Sequence, residues 1–243
     1  MHPSTVGVGW MLAIAGCGWI GRGAEPLGEE EEPRPLAPVA EIDTWLDAFH
    51  VEKDDPTHVA EVHHFCHERD ADLIQCVLYD SDRPDARLVG VEYIVPEATF
   101  EGLPDREQAY WHPHNYEILS GTLVAAGMPA AQEDALMRAL LNSYGKVWHT
   151  WEMGAPGRPG APLPTGEARL GWSFNAAGEL PERLVNARDA RLGVDSATLR
   201  ERRRPLIRDA HPQEGVDALR DAFPGRKPFP GVRERSGRGG ETR

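Results

Sequence analysis

His58-Val59-Ala60-Glu61-Val62-His63-His64-Phe65-Cys66-His67 alternates in character along its length, and two further runs of strand composition follow it, Leu73–Tyr79 and Leu88–Val95. Successive side chains of a strand point to opposite faces. The first run therefore sorts into His63, Phe65 and His67 on one side and His58, His64 and Cys66 on the other. Turn-forming residues separate the runs, first at 68–72 and then at Asp80-Ser81-Asp82-Arg83-Pro84-Asp85. Three strands with connections this short predict an antiparallel meander.

Working outward, residues 42–49 carry apolar side chains at helical spacing and read as a short helix. Residues 96–110 read as two short helices and 117–125 as a fourth strand. The clearest helix spans 129–144, with Ala135, Leu136, Ala139 and Leu140 on one side and Gly145 as its stop. Strands are expected over 146–153 and 169–175, separated by a Pro/Gly-rich loop at 155–166. Helices over 181–192 and 196–204 close the domain, with Ser196 as N-cap and Pro205 as a stop. Crossovers are too few for a doubly wound sheet. The expected class is α+β: a mainly antiparallel sheet with interspersed and C-terminal helices, one domain over residues 42–208. The Pro-, Gly- and Arg-rich remainder, 209–243, is expected to be disordered.

The chain has 243 residues and a net charge of −13. That acidity argues against nucleic acid as a partner, because such binding rests on neutralising phosphates with Lys and Arg. At the front, a short apolar run from Val6 closes on Ile14-Ala15-Gly16-Cys17, which resembles the lipobox of a bacterial lipoprotein. The run is too short to span a bilayer and suits a signal peptide. Cleavage before Cys17 would leave its thiol to carry acyl chains, and two or three chains anchor firmly where one does not. This reading predicts a signal peptide at 1–17, an acidic Pro-rich linker at 18–41 and a lipid-anchored location in the cell envelope, at an outer membrane or cell surface. The linker holds Glu29-Glu30-Glu31-Glu32 and Pro26, Pro33, Pro35 and Pro38. Two alternatives stand beside it: an ordinary secretory signal cut near Gly23-Ala24, or a mispredicted start codon. Cys66 and Cys76 lie symmetrically about residue 71, so a hairpin there sets them opposite one another within reach of a disulfide. An exported compartment permits the bond; two small buried apolar side chains are the other reading.

Chemistry concentrates in the histidines. His112-Pro113-His114-Asn115-Tyr116-Glu117 offers two imidazoles on one strand face with a carboxylate close behind, and His149 in Val147-Trp148-His149-Thr150-Trp151 offers a third imidazole from another element. Neutral imidazole with carboxylate suits zinc, iron or manganese. The candidate ligands of a divalent metal are His112, His114, His149, Glu117, His63 and His67. The competing reading of His-X-His is a hydrogen-bonding pair that fixes a loop. Glu92 and Tyr93 either join this pocket or, for Glu92, face solvent. The His112-X-His114 pattern with its following Glu and Gly also resembles the first cupin motif, although cupins place the Glu and Gly further along. No Gly-rich phosphate loop, nucleophile elbow or CxxC is present. Arg200, Arg202, Arg203 and Arg204 make a basic helix end, either a solvated face or a contact for anionic lipid.

Six stretches together resemble the oil-body-associated proteins of plants, whose relatives are grouped as domain of unknown function family 1264. They are His63-His64-Phe65-Cys66-His67; Gln75-Cys76-Val77-Leu78-Tyr79-Asp80-Ser81-Asp82; Leu88-Val89-Gly90-Val91-Glu92-Tyr93-Ile94-Val95; Trp111-His112-Pro113-His114-Asn115-Tyr116-Glu117; Tyr144-Gly145-Lys146-Val147-Trp148-His149-Thr150-Trp151; and Asp189-Ala190-Arg191-Leu192-Gly193-Val194-Asp195. The resemblance covers about residues 45–205. It implies association with lipid and no settled activity or cofactor, and a reducing compartment for the plant members, which weighs against a bridge between Cys66 and Cys76. Two functions follow. One is a lipid-anchored envelope protein with a His-rich metal or polar pocket, meeting lipid or an apolar ligand. The other is a metal-dependent, cupin-like enzyme with a His/Glu-ligated divalent ion.

Overall fold

Four strands in sequence order, β1 (Thr44–Glu52), β2 (Asp55–Asp70), β3 (Leu73–Tyr79) and β4 (Leu88–Val95), form an antiparallel meander in the computed structural model, which describes residues 36–154 and 160–236. The short β5 (His112–Pro113) follows, then β6 (Tyr144–His149) and β7 (Arg169–Ser173). β7 pairs with β1, β6 with β7, and β6 returns to pair with β4 through Gly90↔His149 to Val95↔Tyr144. Every pairing is antiparallel, so the meander closes into a six-stranded barrel. The closing seam is tight: a Cβ on Gly90 would lie 2.3 Å from the Trp148 carbonyl oxygen. The architecture is α+β and mainly antiparallel, as the composition of the strands implied.

The helix expected over 42–49 is instead β1. Leu46, Ala48 and His50 pair with His64, Val62 and Ala60 and face inward, while Asp47, Phe49 and Val51 face outward and are also buried. A strand buried on both faces loses its polar alternation, and its apolar residues then fall by chance at helical spacing. The strand expected over 117–125 is α3 (Asn115–Ser120) followed by an irregular segment whose Val124 bridges Asp47 of β1. α1 (Glu97–Glu101), α2 (Asp105–Gln108), α5 (Glu182–Leu192) and α6 (Ser196–Arg203) stand close to where turn and cap chemistry placed them, but α4 (Ala130–Leu140) ends short of the expected 144: the chain turns at Asn142, whose φ is +68°, and Gly145 lies inside β6 and is not the helix stop. Asp195, not Ser196, caps α6, accepting from the backbone N–H groups of Ala197 and Thr198.

Helices and tail cover the outer face of β1. The guanidinium of Arg188, fully buried on α5, donates to Asp47 Oδ1 at 2.5 Å, the Thr122 carbonyl at 3.0 Å and Ser196 Oγ at 3.1 Å. One side chain thus ties β1, the segment after α3 and α6 together. Residues 209–236, expected to be disordered, pack onto the domain: Val216, Leu219 and Val232 enter the core. Their apolar side chains are sparse enough to be masked by Pro, Gly and Arg in a compositional reading. Within this segment Gln213, fully buried, accepts from the Asn115 N–H and donates to the Ser143 carbonyl. Among the described residues no helix is long and apolar enough to cross a membrane.

Candidate metal centre inside the barrel

Strand parity decides what the barrel encloses. Glu92 pairs with Cys76 and Val147, His64 with Leu46 and Leu78, and His149 with Gly90, so all three point inward with the apolar lining. His112 joins them through its pairing with Gly145. His114 stands immediately before α3, and Glu117 lies on that helix; both line the same interior cavity with Leu46, Ala48, His50, His64, Glu92 and Ile94. All of these polar groups are buried.

Glu92 is the hub. Its Oε2 lies 2.8 Å from His64 Nε2, and its Oε1 lies 3.4 Å from both His112 Nε2 and His114 Nε2, which are 3.2 Å apart. Burial pushes the Glu92 carboxyl up; hydrogens carried by the neighbouring His112, His114 and His64 rings would pull it well below the usual carboxylate range. Burial acts on the rings in the opposite sense, disfavouring the cation. It lowers His112 to about 4 and His149 to about 3, and it holds His50 well below its ordinary value with help from His64. Glu117 is raised well above the usual range by burial and by the charge of Glu92.

The outer nitrogens fix two tautomers. His64 Nδ1 lies 3.1 Å from the Val62 carbonyl, which only accepts, so Nδ1 carries the hydrogen. Ser143 Oγ gives its hydrogen to the Leu140 carbonyl and so receives one from His114 Nδ1 at 2.8 Å. Both rings then aim a lone pair from Nε2 at an oxygen of Glu92. Such outer partners are what orient metal-ligating histidines. His149 Nε2 lies 3.3 Å from His50 Nδ1 and forms the inner wall of a solvent cleft of about 650 Å³ that also touches Glu52, Thr150, Trp151 and Arg169.

Gly145 leaves this arrangement open. A Cβ there would stand 2.1 Å from Glu92 Oε1, 2.6 Å from His114 Nε2 and 2.7 Å from His112 Nε2. Side chain of any kind at 145 would occupy the common face of the three ligand atoms.

The interior therefore gathers four of the residues singled out from sequence as ligands: His112, His114, His149 and Glu117. His63 and His67 face the other way. His63 sits outside the barrel wall beside Asp47 and Glu61, and accepts from Trp45 Nε1. That trio could also span an ion, but the guanidiniums of Arg188 and Arg191 already supply the positive charge there. His67 lines a shallow outer groove of about 210 Å³ with Val39, Phe65, Val77 and Tyr93. Tyr93 likewise points outward and is 40% exposed. Reasoning from sequence missed His50, because β1 read as helix, and left Glu92 open; its neighbours Val91 and Ile94 were the available sign of a buried strand. The basic end of α6 is largely consumed internally: Arg203 is buried against the Ile118 and Leu123 carbonyls and Glu133, and Arg202 pairs with Glu133 and Asp134. Cys66 and Cys76 are cross-strand partners on the interior face and are joined by a disulfide.

Comparison with known proteins gives a consistent answer. The family described as "Protein of unknown function (DUF1264)" matches residues 36–207. Oil body-associated protein 2B of Zea mays is 41% identical over 164 residues, 67% of this chain and 64% of its own length, so the match spans under two thirds of that relative. Oil body-associated protein 1A of Zea mays is 34% identical over 187 residues, covering 77% of this chain and 76% of its own, and oil body-associated protein 1B of Arabidopsis thaliana is 35% identical over 184 residues, covering 76% and 73%. No solved structure matches the chain. These relatives overturn the expected cell-envelope location, since they are plant proteins named for oil bodies, not lipoproteins of an envelope. A short apolar run ending in cysteine is a weak discriminator beside homology of this extent. Cys17 and the signal and linker segments up to residue 35 lie outside the described residues.

Proposed function

We propose, from the premise that this chain belongs to the DUF1264 family of oil body-associated relatives, that its barrel is a divalent-metal centre serving a lipid-related partner. The observation that carries the metal reading is the triangle of His112 Nε2, His114 Nε2 and Glu92 Oε1, with sides of 3.2, 3.4 and 3.4 Å. A tetrahedral ion about 2.0–2.1 Å from each of three ligands sets those ligands about 3.3–3.4 Å apart. Two imidazoles and one carboxylate suit zinc, iron or manganese. Three protein ligands also leave a coordination position for something else, the arrangement of catalytic rather than structural sites. Such an ion supplies Lewis acidity or an activated water. The protein's own residues hold the ligands in register, keep the imidazoles neutral by burial and exclude bulk water with Leu46, Ala48, Ile94 and Leu123.

Elemental analysis of the purified full chain after zinc loading tests this. The expected result is stoichiometric zinc that Glu92→Gln, which keeps shape and removes charge, fails to retain while its circular dichroism stays native. A wild-type chain without bound zinc overturns the metal reading. The partner is tested separately by flotation: the chain should rise with phospholipid-coated triacylglycerol droplets and stay with the soluble fraction in their absence. A chain that never floats overturns the lipid half of the proposal.

A further inference from the structure

The cluster holds more imidazole than one such ion uses, and its ligand atoms divide into two sets. His112, His114 and Glu92 form one triad; His50, His64 and Glu92 form another, with the ligand atoms of each within 4.8 Å of one another. We propose that the barrel binds a pair of divalent ions bridged by Glu92, with Oε1 shared by the His112–His114 site and Oε2 by a second site on His50 and His64. This rests on the metal reading above and extends it from one ion to two.

His64 is fixed as the Nδ1–H tautomer by the Val62 carbonyl, so its Nε2 confronts Glu92 Oε2 at 2.8 Å with no hydrogen of its own to donate. Only a cation between them, a proton or a metal ion, reconciles that approach. The same confrontation recurs at the other oxygen, where His114 is fixed by Ser143 and where Oε1 is a buried acceptor without a hydrogen-bond partner. Both oxygens of one carboxylate are thus met by imidazoles whose outer nitrogens are tied to the protein, which is how metal ligands are held. His149 does the same service behind His50. A carboxylate that offers one oxygen to each side suits ions about 3.5–4 Å apart, the spacing of two-metal centres. Two divalent ions on one carboxylate leave excess positive charge against an apolar wall. Glu117 is buried and lines the same cavity; it is the group placed to balance that charge. His149 and His50 lie between the cluster and the solvent cleft, so the second site is the one nearer the cleft.

The test is stoichiometry of the full chain stripped with chelator and reloaded with zinc. Two zinc ions per chain are expected, with half of the metal lost in His64→Asn and half in His112→Asn. One ion per chain overturns the pair and leaves the single centre standing, His64 then carrying a proton instead. No ion overturns both. Should His64→Asn fail to fold, the wild-type chain loaded with Mn²⁺ answers alone. Two equivalents bridged by one carboxylate couple magnetically and lose the six-line signal of isolated Mn²⁺, whereas a full-strength six-line signal overturns the proposal.

Discussion

Gly145→Ala is expected to abolish zinc binding and to lower stability at the same time. The added methyl would sit 2.1–2.7 Å from Glu92 Oε1, His114 Nε2 and His112 Nε2, well inside contact distance for all three. These atoms belong to buried side chains packed against one another, so none can retreat without displacing a neighbour. Overpacking of this kind costs about 1–3 kcal/mol, which corresponds to a melting temperature lower by roughly 2–12 °C for a domain of about 200 residues. Gly225→Ala is the control, since a Cβ there meets nothing within 4 Å. Calorimetry and zinc content read together decide the matter. A Gly145→Ala chain with native zinc and native melting temperature would mean that the triangle is not where metal binds.

Arg188→Met is expected to have the larger effect on folding alone. Asp47 is buried on the outside of β1; burial pushes its carboxyl up, and Arg188 is first among the groups that pull it back. Removing the guanidinium leaves that carboxyl, the Thr122 carbonyl and Ser196 Oγ without their shared donor. Breaking one half of a buried pair costs about 3–5 kcal/mol, roughly 6–20 °C in melting temperature at this size. The cost should be mostly an orphaned charge and not lost attraction. The double variant Asp47→Leu with Arg188→Met is therefore expected to recover much of it, and a double variant no more stable than Arg188→Met would refute that account.

How much of this was open to reading from the chain can be judged residue by residue. Alternation over β2 separated His63 from His64 correctly, because one face of that strand is apolar enough to keep the period visible. Which face lay inside could not be known, since that depends on β1 and β3 bracketing β2 and on the return of β6 to β4. β1 itself was opaque: Arg188 and the segment at Val124 bury its outer face, so Trp45, Leu46, Ala48 and Phe49 look like a helix stripe, and His50, just beyond it, was lost. Glu92 was ambiguous for an energetic reason. A carboxylate in a strand is cheaper in water than in a core unless cationic or hydrogen-bonding partners await it, and its partners come from β2, β5 and the start of α3, between 20 and 30 residues away in sequence. His112 and His114 were legible because both ligands sit in one short motif. The family was the most legible feature, and it corrected the envelope location that the first seventeen residues suggested.

The space left among the interior imidazoles amounts to about 10 Å³, about what a single water molecule needs, and the rings around it are buried. Anything held there has been enclosed while the staves were still assembling or admitted by a rare breathing of the fold. Its residence time then follows the opening rate of the protein and not its intrinsic affinity. Exchange of a bound ion with added zinc or with a chelator is therefore expected to be slow, paced by how often the fold opens.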